Sequence, residues 1–312
     1  MIGIEQDRLS ARDIAVLCAV ALVANLFFAG QTSLLIAYQS VLHFSLTESG
    51  WLATIEGGAY AFGMLLAALS AALVRPNRLK VCGLLLLLAL AQALSAGATT
   101  LLTMGLCRSV SGMMAGLILS VGTAAISSTG NAGRAFALYF GALFLSGVVA
   151  LPLITYLLLL VGLPGTYLMY AALILGSMAA LGWYPVHAIE KTRNVAAPVF
   201  HQPRARSGRV LMFAALFVNF VFNGGIWVLA EQLGLEIPGI NQVWLSDFLA
   251  GSMLFGLIGT AVATAIAPRR LHLFSLVLGN ALLIVSMLML SGWRSASGFV
   301  LAMALLNISV TF

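Results

Sequence analysis

Charge is what this sequence has least of. Only 8% of its 312 residues are Asp, Glu, Lys or Arg, against about a quarter in an ordinary soluble domain. A solvated globular domain is thereby excluded. Cysteine is rarer still in number, and Cys18, Cys82 and Cys107 fall in or beside apolar runs at unrelated spacings, so neither a disulfide framework nor a thiolate metal site is expected. His43, His187, His201 and His272 stand apart from one another and from ligand-spaced carboxylates, which argues against a bound metal. No Gly-x-x-x-x-Gly-Lys-Ser/Thr loop occurs, which removes nucleotide hydrolysis of that type. Nor does any cluster of His, Asp or Cys suggest a membrane-embedded enzyme. Neither an enzymatic activity nor a cofactor is expected. The ten-residue alternation of a transmembrane barrel is absent too.

What remains is apolar sequence, 62% of the chain, in runs near 20 residues or longer. At 1.5 Å per residue such runs match a hydrocarbon core of about 30 Å, so the expected fold class is an all-α integral membrane protein. Spans are predicted near 14–37, 49–74, 79–101, 104–127, 134–161 and 165–187, then 210–234, 243–267, 271–291 and from 296 onward. The first run is too long for a cleaved signal peptide. Lys and Arg collect in cytoplasmic loops, and a cytoplasmic N-terminus puts 13 of the 15 basic residues on that side. The net charge of +6 then reports topology, and no nucleic-acid partner is needed to explain it.

The longest polar stretch, Val186 to Arg209, carries Lys191, Arg193, Arg204, Arg206 and Arg209 against the single acid Glu190. After it the hydrophobic pattern begins again. Trp51-Leu52 aligns with Trp244-Leu245, Gly58 with Gly251 and Phe62-Gly63 with Phe255-Gly256, each 193 residues apart. Asn25-x-x-Phe28-x-Gly30 aligns with Asn219-x-x-Phe222-x-Gly224, and Arg78-Leu79 with Arg270-Leu271. Matches among such distinctive residues point to a duplication. The expected organisation is a six-helix half over 1–187, a cytoplasmic connector over 188–209, and a second half over 210–312 that ends inside a tenth span after nine complete ones. On the scale of the repeat, a full chain is expected to run to roughly 390 residues.

Six spans, a basic connector and a copied half form the plan of the major facilitator superfamily of secondary transporters, which this chain resembles over its whole length. In the fourth span, Arg108-Ser-Val-Ser-Gly112-Met-Met-Ala-Gly116 looks like the family's Arg-x-x-x-Gly-x-x-x-Gly pattern. The run Ser70 to Lys80 is similar to the family's characteristic loop after the second span. It keeps the basic residues Arg75, Arg78 and Lys80 and places Val74 where the family has an acid. The fifth span lacks the family's Gly-Pro antiporter arrangement. The resemblance implies a monomeric permease of the plasma membrane, of the bacterial inner-membrane type. It would move a small solute by alternating exposure of a central site, driven by protons. A receptor or sensor that binds its ligand on the same fold without transporting it is the alternative.

Candidate working residues are the polar groups inside spans. Glu56 lies about eight residues into the second span and Arg108 lies in the outer part of the fourth. Buried charges there are costly without a partner or water, so the two are candidate proton-coupling residues. Read as antiparallel neighbours, their spans would allow contact. The alternative for Glu56 is an outer-end residue that balances Arg108 or points to the headgroups. Asn25 and Gln31 in the first span, and Asn219 and Asn223 in the seventh, are mid-membrane amides that need partners. The resemblance implies a substrate site there, with Tyr60 and Trp227 as aromatic walls. Hydrogen bonding between helices is the competing role for the amides. Arg75, Arg78 and Lys80 form the expected gating loop. Glu231 and Asp247 read as solvated carboxylates at outer helix ends, and Trp51 and Trp244 as members of an aromatic belt.

Overall fold

The computed structural model describes residues 9–70, 77–127, 132–185, 224–266, 272–292 and 295–309, which are helical over most of their length. The chain divides into two compact units, Met1–Val195 and Ala196–Phe312. The expected connector over 188–209 lies outside the described residues.

In the first unit, local sequence sets the helix starts. Helix α1 (Ala11–Ala29) opens on a capping box in which the Ser10 hydroxyl accepts from the Asp13 amide and the Asp13 carboxylate accepts from Ser10. Helix α3 (Leu46–Leu69) opens on the same device, built from Ser45 and Glu48. Each box satisfies amides that an α-helix leaves unpaired at its start. Asn77 caps α4 (Arg78–Ser95) by accepting from the Leu79 amide. The predicted first span is two helices: α1 ends at Gly30 and α2 (Gln31–Val41) starts directly after it. The Gly30 amide still donates to Leu26 and its carbonyl still accepts from Leu34, so the run continues through a joint.

Helix α5 covers Leu101–Ser127 and α6 covers Ala132–Ser177, followed by a 3-10 segment, Met178–Trp183. The fifth predicted span lies within α6, and the sixth begins in it and runs on through the 3-10 segment. They meet at Gly162, whose φ of 69° and ψ of −178° interrupt the helix. That left-handed φ is cheap only for glycine. Contacts with α1 and α2 show the direction on each side of this point. Asn25 meets Ser146 and Ser33 meets Thr155, a parallel register. Beyond Gly162 the register reverses, with Tyr38 on Tyr167 and Val23 on Tyr170. One glycine thus turns the chain back across the unit.

Helices α3 and α5 make the closest contact. A Cβ added at Gly112 would collide with the Glu56 carbonyl, and one at Gly116 with the Tyr60 carbonyl. The spacing of four puts both glycines on one face, and their lack of side chains lets the backbones touch. Because Gly105 meets Leu52 and Gly116 meets Tyr60, the two helices run in the same direction. This corrects the antiparallel expectation, and it agrees with the count of spans, since a second and a fourth span run in the same direction.

The second unit includes helical residues 224–235, then α7 (Gln242–Ile266), α8 (His272–Gly292) and α9 (Ala296–Ser309). Asn307 of α9 donates to the Ser252 hydroxyl of α7 at 3.1 Å, and the Ser286 hydroxyl of α8 donates to the Ala302 carbonyl at 2.8 Å. Phe248 stacks on Trp244 and meets Phe299 of α9. Among the described residues, five helical stretches are long and apolar enough to cross a membrane: Ala11–Val41, Arg78–Ser95, Leu101–Ser127, Ala135–Trp183 and Gln242–Val262.

Candidate functional site

Arg108 is the largest fully buried side chain among the described residues, with a relative exposure of 0%. Helix α5 carries it into the first unit, where four other helices supply its surroundings. Its Nη1 donates to Glu56 Oε1 at 3.3 Å, from α3. Its Nη2 donates to Gln92 Oε1 at 2.8 Å and to the Ser95 hydroxyl at 2.6 Å, both on α4. Two neighbouring rings lie against the guanidinium, Phe27 of α1 and Tyr167 of α6, each with its centroid 4.9 Å away and 5.1 Å from the other. Nε alone is buried without a partner.

Glu56 is 2% exposed. Besides Arg108, its carboxylate accepts from the Ser111 hydroxyl at 3.4 Å and from Gln31 Nε2 at 3.2 Å. Gln92 Nε2 also donates to Ser111 at 2.7 Å, which closes a ring of polar groups across α3, α4 and α5. The bonds in this ring differ in length. Arg108 makes its short bonds to the neutral partners Gln92 and Ser95, whereas every donor to Glu56 sits at 3.2 Å or beyond. Arg108 would therefore stay held by the amide, the hydroxyl and the two ring faces if Glu56 took up a proton. A carboxylate with long donors and a cation with separate supports can exchange a proton without releasing the cation.

The structure brings together Glu56, Arg108 and Gln31 of the residues singled out from the sequence. It separates Asn25, whose Nδ2 donates at 2.8 Å to Ser146 of α6. Tyr60 stacks on Phe28, with centroids 4.7 Å apart and planes 9° from parallel. Trp227 is half-buried in the second unit. Asn219, Asn223 and Arg75 lie outside the described residues. Arg78 Nε donates to the Tyr184 carbonyl at 3.2 Å, and Lys80 is exposed. Glu231 is fully buried, which corrects its reading as a solvated rim carboxylate, while Asp247 is exposed as expected. The second correction has a local cause: Glu231 shares a helix face with Gly234, three residues on, which packs against Leu245 of α7.

Sequence reasoning missed Gln92, Ser95, Ser111, Phe27 and Tyr167. Gln92 did carry a signal, as the lone amide in the leucine-rich run of α4, with Ser95 one turn further on. The two rings carried none, because an aromatic facing a cation looks like any other apolar position until the helices are packed. Among the described residues no group of three or more His, Cys, Asp or Glu is placed to hold a metal ion.

Residues 17–312 match the model of the Major Facilitator Superfamily. No curated protein matches the chain in sequence. Several solved structures share its fold. The nucleoside transporter NupG aligns with a TM-score of 0.68 at 14% identity, over 97% of this chain and 80% of that one. FucP, a Major Facilitator Superfamily transporter in the outward conformation, gives 0.64 at 14%, over 96% and 81%. A bacterial homolog of the human lysosomal transporter Spinster, inward-facing and occupied, gives 0.64 at 15%, over 95% and 72%.

Proposed function

The chain belongs to the major facilitator superfamily, and from that membership we propose a proton-coupled secondary transporter that moves a small solute by alternating access. That the protein is an integral membrane transporter follows from the family and from its apolar helices. The proposal adds the coupling ion and its carrier. The observation that supports it is the ion pair of Glu56 and Arg108, 3.3 Å apart and buried inside the first unit within a ring of neutral polar side chains. Burying two charges costs several kcal/mol per ion, and an intramembrane ionisable group is by default a functional candidate. In this reading Glu56 carries the proton and Arg108 supplies the resident positive charge. Gln31 reports the state of Glu56 to the first span through their shared hydrogen bond.

The substrate reading keeps Asn25, Gln31, Tyr60, Asn219, Asn223 and Trp227 as candidates for solute contact. Arg75, Arg78 and Lys80 are kept as the gating loop, and the N-terminus is assigned to the cytoplasm. The test is uptake by the purified chain in proteoliposomes under an imposed pH gradient. The panel starts with nucleosides and sugars, given the nucleoside transporter among its structural neighbours. Accumulation of a solute that collapses with the gradient is the expected result. Accumulation that ignores the gradient would remove the coupling claim.

A further inference from the structure

Outside the charge network, the first unit has an open groove of about 290 Å³ where α1 begins and the 3-10 segment ends. Ala15, Val16 and Ala19 form one wall and Ala180 forms part of the other. At its mouth the Arg12 guanidinium lies 5.2 Å from the centroid of the Trp183 ring, and Trp183 remains 56% exposed. Among the described residues no carboxylate pairs with Arg12. Its neighbour Asp13 is occupied by the amide and hydroxyl of Ser10. The groove therefore combines an apolar floor, a cation without a described counter-charge, and an exposed indole at one end of a spanning helix.

We propose that this groove is a binding site for a single anionic phospholipid of the leaflet where α1 begins. The phosphodiester would sit against Arg12, the glycerol region against the Trp183 ring, and one acyl chain along Ala15, Ala19 and Ala180. A lipid fits better than a free phosphate for a physical reason. A small anion would gain only the exposed Arg12 charge, whereas an acyl chain also covers the apolar floor, which is left open among the described residues. Arg at a helix end reaches the headgroup level with its stem on apolar surface, and indoles collect at the same depth. The site does not depend on the identity of the transported solute.

The test is native mass spectrometry of the delipidated full chain titrated with phosphatidylglycerol, phosphatidylcholine or inorganic phosphate. One phosphatidylglycerol per chain is expected to bind in preference to phosphatidylcholine. Arg12→Gln should weaken that binding about fivefold, the contribution of one basic side chain near a lipid surface. Ala19→Trp should weaken it comparably by filling the groove with Arg12 intact. A photoreactive benzoylphenylalanine in place of Ala19 should capture lipid from native membranes, a readout in which neither variant is needed. Equal binding of phosphatidylcholine, saturation by inorganic phosphate alone, or capture of another segment of the same chain would each overturn the proposal.

Discussion

At the scale of single residues, Arg108 has five partners of three chemical kinds, a carboxylate, two neutral polar groups and two rings, and they make separable predictions. Removing the cation while Glu56 stays buried leaves an uncompensated charge, so Arg108→Ala is expected to lower stability by about 3–5 kcal/mol. Arg108→Met combined with Glu56→Leu removes both charges and should recover much of that loss. Thermal unfolding of the single and double variants in detergent checks the non-additivity, and a loss that merely sums would dissolve the pair into independent residues. Asn25 gives a smaller expectation. Its bond to Ser146 is of the interhelical kind worth about 1 kcal/mol, so Asn25→Ala should cost about that much. A large loss of transport at this small cost in stability would support the substrate role proposed for Asn25, and parallel losses would leave it a packing residue.

At the scale of helices, packing is decided where backbones touch. Gly112→Val and Gly116→Val drive a side chain into the α3 carbonyls, and overpacking of this kind costs about 1–3 kcal/mol. Gly83 on α4 has nothing within 4 Å of an added Cβ, so Gly83→Ala should be neutral or slightly stabilising by the helix propensity of alanine, about 0.8–1 kcal/mol. Comparing their melting temperatures checks whether α3 and α5 lie in contact as described. Much of this was legible in sequence. Gly112 and Gly116 stood out by their spacing of four, whereas the helix starts at Ser10 and Ser45, marked by the acids Asp13 and Glu48 at the third helical position, went unread. The joint at Gly30 went unread, although Gly30-Gln31-Thr32-Ser33 is a polar interruption in the apolar run. The direction of α3 against α5 was legible, since the second and fourth predicted spans must run the same way, and the antiparallel reading went against that count. Glu56 and Arg108 could each be suspected from cost alone, but only the packing of α4 beside α5 ties Gln92 and Ser95 to Arg108, 13 to 16 residues along the chain.

At the scale of the molecule, orientation and coupling each have their own test. With the native cysteines replaced, a cysteine at Thr47, exposed beside the start of α3, should react with an impermeant thiol reagent on intact cells. One at Ser207 in the expected connector should react only after permeabilisation, and the reverse pattern would invert the topology. Coupling through Glu56 is the point on which the proposed mechanism stands. It is tested by entrapping a pH-sensitive dye in proteoliposomes and adding a transported solute to the native chain and to Glu56→Gln side by side. Solute-dependent proton movement is expected with the native chain, and solute flux without proton movement in Glu56→Gln. Proton movement that persists undiminished in Glu56→Gln would contradict the assignment of the proton to this carboxylate.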